Sequence, residues 1–524
     1  MGCTMAGLIK RVQLNIDLSQ IFSRIVSFLF FLWLCAITVW SLIPLVRNQV
    51  LGPDERAYII TSEGIVREGV KGFPLSQDLL ALAEVVSPLR TAIVENGRVM
   101  SAGFPLWSWW LSPGIALGWP ALMALFPWYL AFAFAWKYKK FSWGGIPSLS
   151  LVIMIPAVAA LGFRPLYGQN FTIIGLLMCA WYASHLLRTS AWYWSLLPVI
   201  PVAISILIRP SEAPWILLFA CAYLIAYRHT KLPYYARLSL LLGCCGVALA
   251  ILPYAIGFYT PPHALSIGRQ LQLWDFILPF GFHIENILKN IALHVIVLSL
   301  YYVFLISSFF DASHVTIKKR SIFLIIGGIL WPLLYYASWL VPDNWMEKLG
   351  PASSYIRYTM ASAWGMWLLL HICTEKIMFS LRTMVIGMSA IFWSLFLVVI
   401  PEPHGFGFSS WYGTLESQEK KIHQVQDYIG AASRAVMFSA IGDKWLFPYF
   451  DVFQTPRSQS RNTTQELPLI SWDELRERTP YYRTIWWYDF CGAETLKENT
   501  LQSPLSWETT WISEDKKECL FKMK

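Results

Sequence analysis

The run Ile25 to Leu45, IVSFLFFLWLCAITVWSLIPL, is followed within a few residues by Gly52-Pro53-Asp54-Glu55-Arg56-Ala57-Tyr58. The first stretch holds about 20 predominantly apolar residues, enough to cross a bilayer as a helix, and it lacks a small-residue cleavage site, so it reads as a retained span. The second stretch opens with a capping Gly and a Pro at the first helical position. Asp54 and Glu55 then fall in the first turn, where the helix dipole favours negative charge by about 0.3 to 1 kcal/mol each. A membrane span that leads directly into an acidic helix start is the juncture from which the rest of the chain is read.

The chain has 524 residues, 56% of them hydrophobic and 14% charged, so most of it must dissolve in lipid rather than water. Its 27 Trp and 24 Tyr crowd the ends of the apolar runs, where amphipathic rings settle at headgroup level. The net charge of +9 is spread in short clusters between those runs. That pattern reports topology and argues against a nucleic-acid partner. The N-terminal Met1-Gly2-Cys3-Thr4-Met5-Ala6 has Ala where an N-myristoylation signal requires Ser or Thr.

Eleven spans are expected: Ile25 to Leu45, Pro113 to Trp136, Ile146 to Leu161, Leu166 to Leu187, Ala191 to Ile208, Ala213 to Tyr227, Leu238 to Tyr259, Ile291 to Phe310, Ile322 to Val341, Ile356 to Cys373 and Met384 to Ile400. Alternate connections carry the Lys and Arg clusters, which puts those connections and the N-terminus in the cytoplasm by the positive-inside rule. All the long polar segments then lie on the other side. One is the loop Arg47 to Gly103, about 57 residues and far longer than an ordinary helix connection. Within it, Pro53 to Arg67 and Ser76 to Val94 read as helices separated by a Gly-rich break that contains Lys71. Ser266 to Leu288 shows the apolar stripe of a helix lying in the interface plane.

After Pro401 the composition turns polar, with a helical pattern across Leu415 to Phe438 and β-rich runs at Tyr482 to Tyr488 and Cys519 to Met523. The expected fold class is thus an all-α polytopic membrane protein with extracytoplasmic interfacial helices and a small C-terminal α/β domain. Residues 1–400 form the membrane domain, including the loop 47–103, and residues 401–524 form the C-terminal domain. Cys491 and Cys519 are the two cysteines of that polar segment; they pair as a disulfide in an oxidising compartment or pack as free thiols. There is no Gly-rich phosphate loop and no clustered His/Cys signature, so no cofactor is indicated and a divalent metal has no visible ligand set.

Helix-dipole stabilisation alone accounts for Asp54 and Glu55; their position at the exit of a span, beside an oversized outer loop, is what suggests chemistry. Asp54, Tyr58 and Thr61 share a helix face at i, i+4 and i+7 spacing.

This order of motifs resembles the GT-C superfamily of polyprenyl-phosphate-sugar-dependent glycosyltransferases. The resemblance rests on the first span, on Pro-Asp-Glu-x-x-Tyr at Pro53 to Tyr58, and on Phe104-Pro105-Leu106-Trp107 leading into the second span. It extends to Arg164-Pro165-Leu166-Tyr167-Gly168-Gln169-Asn170, Arg209-Pro210 and Ile356-Arg357-Tyr358, and so covers roughly residues 25 to 400. Within the superfamily, the span count and modest C-terminal domain are similar to those of bacterial O-antigen-modifying glucosyltransferases.

The resemblance implies a donor sugar on undecaprenyl phosphate or a related lipid, and a lipid-linked glycan such as O-antigen as acceptor, in the membrane lipids of the bacterial inner membrane with the C-terminus periplasmic. It implies inverting transfer with Asp54 as general base and Glu55 as second choice. Arg209 and Arg357, at outer helix ends, suit a donor phosphate, with Arg164 and Lys71 as further candidates. Tyr58, His263, Arg269, Lys522 and Lys524 are candidates for acceptor or sugar contacts. His283 and His294 are explained as well by interfacial anchoring and by a helix-to-helix hydrogen bond. The competing reading is a transporter or flippase of a lipid-linked saccharide, which would place paired charges or broken helices at mid-membrane. Here the charges collect at helix ends.

Overall fold

The computed structural model describes residues 3–84, 86, 88, 89, 92–101, 105–139, 143, 145–186, 197–209, 216, 292, 295–311, 326, 364, 365, 367, 368, 379–402, 404–430, 435–439, 441–447, 449–454, 472–491 and 507–524. These fall into two compact units. One draws on Met1–Ser41, Ala124–Tyr259 and Leu271–Ser409; the other draws on Leu42–Met123 and Ser410–Lys524.

The first unit is helical. Helix α1 (Cys3–Leu42) contains Leu18–Leu42, and α12 (Leu381–Val399) runs close to the expected last span; both are long and apolar enough to cross a membrane. Between them lie α6 (Leu122–Lys139), α7 (Ile146–Ser150), α8 (Pro156–Gly162), α9 (Gln169–Leu186), α10 (Val199–Ile208) and α11 (Ser299–Asp311). The expected span Ile146 to Leu161 is broken: a 3-10 turn at Leu151–Met154 and Pro156 divide it. Aromatic packing joins these helices. The Trp128 and Phe171 rings stack at 4.7 Å, and Trp33 donates from Nε1 to the Ala159 carbonyl at 3.2 Å. The expected spans at Ala213 to Tyr227, Leu238 to Tyr259, Ile322 to Val341 and Ile356 to Cys373 lie almost wholly outside the described residues, as does the interfacial segment Ser266 to Leu288.

In the second unit, α2 (Pro44–Asn48) leads to α3 (Pro53–Glu68), close to the expected Pro53 to Arg67. Gly69 ends α3 in the left-handed region at φ 69° with its N–H on the Ile65 carbonyl. The expected helix Ser76 to Val94 is not formed. A 3-10 turn (Gln77–Leu79) and the short α4 (Leu80–Ala83) give way to strand β2 (Ala92–Glu95), which turns back antiparallel into β3 (Arg98–Ser101). Asn96 and Gly97, at φ 51° and 73°, make the two-residue turn that such hairpins favour. β1 (Phe73–Pro74) pairs on the other side of β3. The expected single span Pro113 to Trp136 is two helices, α5 (Pro105–Ala116) and α6, separated by a turn with Gly118 at φ 68°.

The C-terminal segment starts with α13 (Phe408–Ile429), which stops at Gly430, φ 74°; the rest of the expected helix Leu415 to Phe438 contains strand β4 (Ala435–Ser439). After α14 (Asp443–Leu446) come β5 (Asp451–Gln454), α15 (Trp472–Arg478), β6 (Thr484–Phe490), β7 (Trp507–Ile512) and β8 (Glu518–Met523). The five-stranded sheet runs β5-β4-β6-β8-β7, parallel across β4 and antiparallel from β6 to β7. The β-rich runs expected at Tyr482 to Tyr488 and Cys519 to Met523 are β6 and β8. Cys491 and Cys519 are bonded, with Cα atoms 5.0 Å apart, and tie the end of β6 to β8.

This sheet and the first loop share one core. Ala57, Ile60, Leu79, Leu82 and Val99 from the loop pack in a single cluster with Val436, Phe438, Leu446, Trp487 and Phe521. Sequence alone assigns the loop to the membrane domain, whereas its described residues pack with the C-terminal sheet. Inside the loop, α3 presses on the turn that follows it. A Cβ built on Gly64 would lie 2.0 Å from the Gly72 carbonyl oxygen and 2.7 Å from that of Val70. Both obstacles are backbone, so Gly64→Ala is expected to cost about 1 to 3 kcal/mol or more and to lower the melting temperature of the detergent-purified protein. An unchanged melting temperature would contradict this packing.

Candidate active site

The first turn of α3 separates the two acids. Glu55 is 4% exposed, and its Oε2 accepts from the Gly52 N–H at 2.7 Å and from the Leu51 N–H at 3.0 Å. This is one half of a capping box; Gly52 has no side chain to return the bond. The Glu55 carboxylate is thereby committed to closing the helix end. Asp54 is half-buried, and among the described residues no group is hydrogen-bonded or ion-paired to its carboxylate. Of the two acids, Asp54 is the one whose carboxylate the cap does not use.

The rest of the helix face is packed. Tyr58 is buried, with its ring edge-on to Trp107 of α5 at 6.4 Å. The Thr61 hydroxyl donates to the Ala57 carbonyl and accepts from the Ser101 N–H of β3, both at 2.7 Å. Ser62 donates to the Tyr58 carbonyl at 2.7 Å and to the Ser108 carbonyl at 2.9 Å. These bonds lock α3 to β3 and α5, so Asp54 projects from a helix whose rotation is fixed. Arg56 is buried as well, and its Nε donates to the Phe447 carbonyl at 2.6 Å. Burial pushes its guanidinium below the ordinary value, with Glu63 and Tyr449 opposing that effect.

The candidate cations divide between the units. Lys71 belongs with Asp54 but lies beside the other end of α3, next to the Gly64 and Gly72 contact. Ten residues of helix separate Asp54 from Gly64, a rise of about 15 Å. In the helical unit, Arg209 follows α10, half-buried, and donates from Nη1 to Asn170 Oδ1 at 2.8 Å. Asn170 is the second residue of α9, and Arg164 opens the 3-10 turn that precedes it. Arg209 is thus bonded to the start of α9, and Arg164 precedes that helix in the chain. Arg357, His263, Arg269, His283 and His294 lie outside the described residues.

Lys522 and Lys524 extend from β8, an ordered strand. The Lys522 Nζ sits over the Trp486 ring, 5.6 Å from its centroid, and Lys524 pairs with Glu508 at 3.5 Å. Both are exposed. Among the described residues no group of three or more His, Cys, Asp or Glu could hold a metal ion.

Sequence reading did not single out Arg56, Asp78, Asp451 or Arg483. Arg483 bonds both Asp78 and Asp451, and its side chain is only 7% exposed. No local signal could have linked Arg483 to Asp78, 405 residues away.

No protein-family model matches the sequence, and no curated protein matches it. Among solved structures, the chain is similar to ArnT from Cupriavidus metallidurans bound to undecaprenyl phosphate, with 12% identity and a TM-score of 0.55. The match covers 94% of this chain and 97% of that one. The same protein in the apo state matches with 12% identity, the same coverage and a TM-score of 0.52. Likeness at this identity is likeness of fold, and over nearly its whole length this chain shares the fold of ArnT.

Proposed function

We propose that the chain is an inverting glycosyltransferase of the bacterial inner membrane that moves a sugar from a polyprenyl-phosphate donor to a hydroxyl of an extracytoplasmic glycan. The observation that carries this reading is the fold it shares with ArnT in a complex with undecaprenyl phosphate, along 94% of the chain. Glucose as the sugar and lipid-linked O-antigen as the acceptor are the finer form of the proposal, and they follow from the motif order and span count.

In this mechanism the acceptor oxygen attacks the anomeric carbon while its proton passes to the Asp54 carboxylate. The bond from the anomeric carbon to the phosphate oxygen breaks, and polyprenyl phosphate leaves with the electron pair. General-base assistance of this kind is worth about 10² to 10⁴ in rate. The uncommitted carboxylate of Asp54 supports it as the base, and the capped position of Glu55 supports a structural role for that residue. The leaving phosphate gains negative charge, which fixed guanidinium groups stabilise. Arg164, Arg209 and Arg357 are proposed for this task, with Lys71 as a further cation. Tyr58, His263, Arg269, Lys522 and Lys524 remain proposed acceptor or sugar contacts. The C-terminal sheet is proposed to face the periplasm, where Cys491 and Cys519 oxidise.

Asp54→Asn is expected to lower turnover from an undecaprenyl-phosphate-linked hexose by about 10² to 10⁴ while leaving undecaprenyl phosphate binding intact. Turnover within about tenfold of wild type would remove Asp54 from the role of base. Glu55→Gln should keep turnover within about tenfold, because Gln also serves in a capping box. Glu55→Ala should lower stability by about 1 kcal/mol. The opposite ranking of the Asn and Gln variants would transfer the role to Glu55.

A further inference from the structure

Two arginines from distant parts of the chain hold the same short segment, Phe447 to Asp451. Arg56 of α3 holds its start through the Phe447 carbonyl at 2.6 Å, and the Phe73 ring, from β1, meets the Phe447 ring edge-on at 5.5 Å. Arg483 holds its end, with Nη1 on Asp451 Oδ2 at 2.9 Å. The rest of the Arg483 fork is spent on Asp78, with Nε to Oδ2 at 2.9 Å and Nη2 to Oδ1 at 3.0 Å. The Tyr482 hydroxyl also donates to Asp78, and the Ser76 side chain bonds Asp451.

These contacts form a closed ring. Asp78 follows β1, which pairs with β3. The Ser101 N–H of β3 reaches Thr61 on α3, and α3 reaches Phe447 through Arg56. A few residues later Asp451 returns to Arg483 and so to Asp78. The closing point is electrostatic: two half-buried carboxylates converge on one guanidinium whose side chain is 7% exposed. A planar guanidinium satisfies both at once; an ammonium cannot reproduce that fork. Removing it would leave Asp78 and Asp451 repelling each other across a half-buried gap. The hydrogen bonds from Arg483 hold Asp78 below the usual carboxylate range, while burial pushes Asp451 up and Arg483 opposes that rise.

We infer that Arg483 is a positioning residue of the proposed transferase: its fork to Asp78 and Asp451 closes a ring of contacts that fixes α3, and with it Asp54, on the C-terminal sheet. The effect on catalysis rests on the reading of Asp54 as the base, whereas the clamp itself does not. A clamp that misplaces the base by even about 1 Å when released would cost turnover rather than donor affinity.

The test compares full-length Arg483→Met, Arg483→Lys and Asp78→Asn proteins by amide hydrogen exchange and by transfer from an undecaprenyl-phosphate-linked hexose. In Arg483→Met, the amides of Arg56 to Thr61 should exchange at least about tenfold faster, while those of β4 stay within about twofold of wild type. Turnover should fall by about tenfold or more with donor KM within about twofold, and Arg483→Lys should lie between the two. If Arg483→Met does not fold, Asp78→Asn, which leaves Arg483 on Asp451, carries the same readouts. Unchanged exchange at Arg56 to Thr61, or an equal rise throughout β4, would overturn the inference, the second because it marks general destabilisation. If the wild-type protein transfers sugar from no polyprenyl-phosphate donor, the transferase reading falls, and the exchange pattern still decides the clamp.

Discussion

The loop 47–103 is of a size that is only marginally stable by itself. It is about 57 residues long, so a core of its own would bury only about 60% of its surface, and its described strands are short. It gains stability by placing Ala57, Ile60, Leu79, Leu82 and Val99 in the core of the C-terminal sheet, beside Val436, Phe438, Trp487 and Phe521. Hydrophobic burial of this kind is non-directional. Orientation comes instead from a few buried polar contacts: the Arg56 bond to Phe447, the Thr61 bond from Ser101, and the Arg483 fork to Asp78 and Asp451. The core supplies the association of the two segments, and the polar contacts select one arrangement of it.

That arrangement gives the acidic turn its asymmetry. Adjacent carboxylates on a helix point about 100° apart, so a fixed helix presents them to different surroundings. Glu55 turns back to the N–H groups of Leu51 and Gly52, while Asp54 is half-buried and has no hydrogen-bond or ion-pair partner among the described residues. The same dipole field acts on both, and the difference between them comes from hydrogen bonding. In the helical unit, Asn170 near the start of α9 receives the Arg209 bond, and Arg164 caps the 3-10 turn just before that helix.

Much of this was legible from residue order. Gly52, Pro53 and the two acids mark the start of α3, and the aromatic and β-branched residues from Thr484 to Tyr488 mark β6. The helix expected across Ser76 to Val94 failed because the Ala and Leu residues near position 80 outweighed a stronger signal just beyond it. Asn96-Gly97 between Ala92 to Glu95 and Arg98 to Ser101 is a hairpin turn, and it shows that the preceding residues are extended. Gly430 likewise ends α13 before the residues of β4 begin. The Arg483 cluster was illegible for a different reason. It joins Asp78 to a residue 405 positions away, and no helical or strand period relates such positions. The different hydrogen bonding of Asp54 and Glu55 also needed coordinates, since the dipole argument treats them alike.

In the proposed reaction Asp54 is the base of a single displacement, in which the acceptor oxygen enters opposite the departing phosphate. The most direct measurement is the anomeric configuration of the transferred sugar, determined by NMR on the product that purified protein makes from an undecaprenyl-phosphate-linked hexose of known configuration. The account predicts inversion at the anomeric carbon. Retention, or no transfer from any such donor, would contradict it.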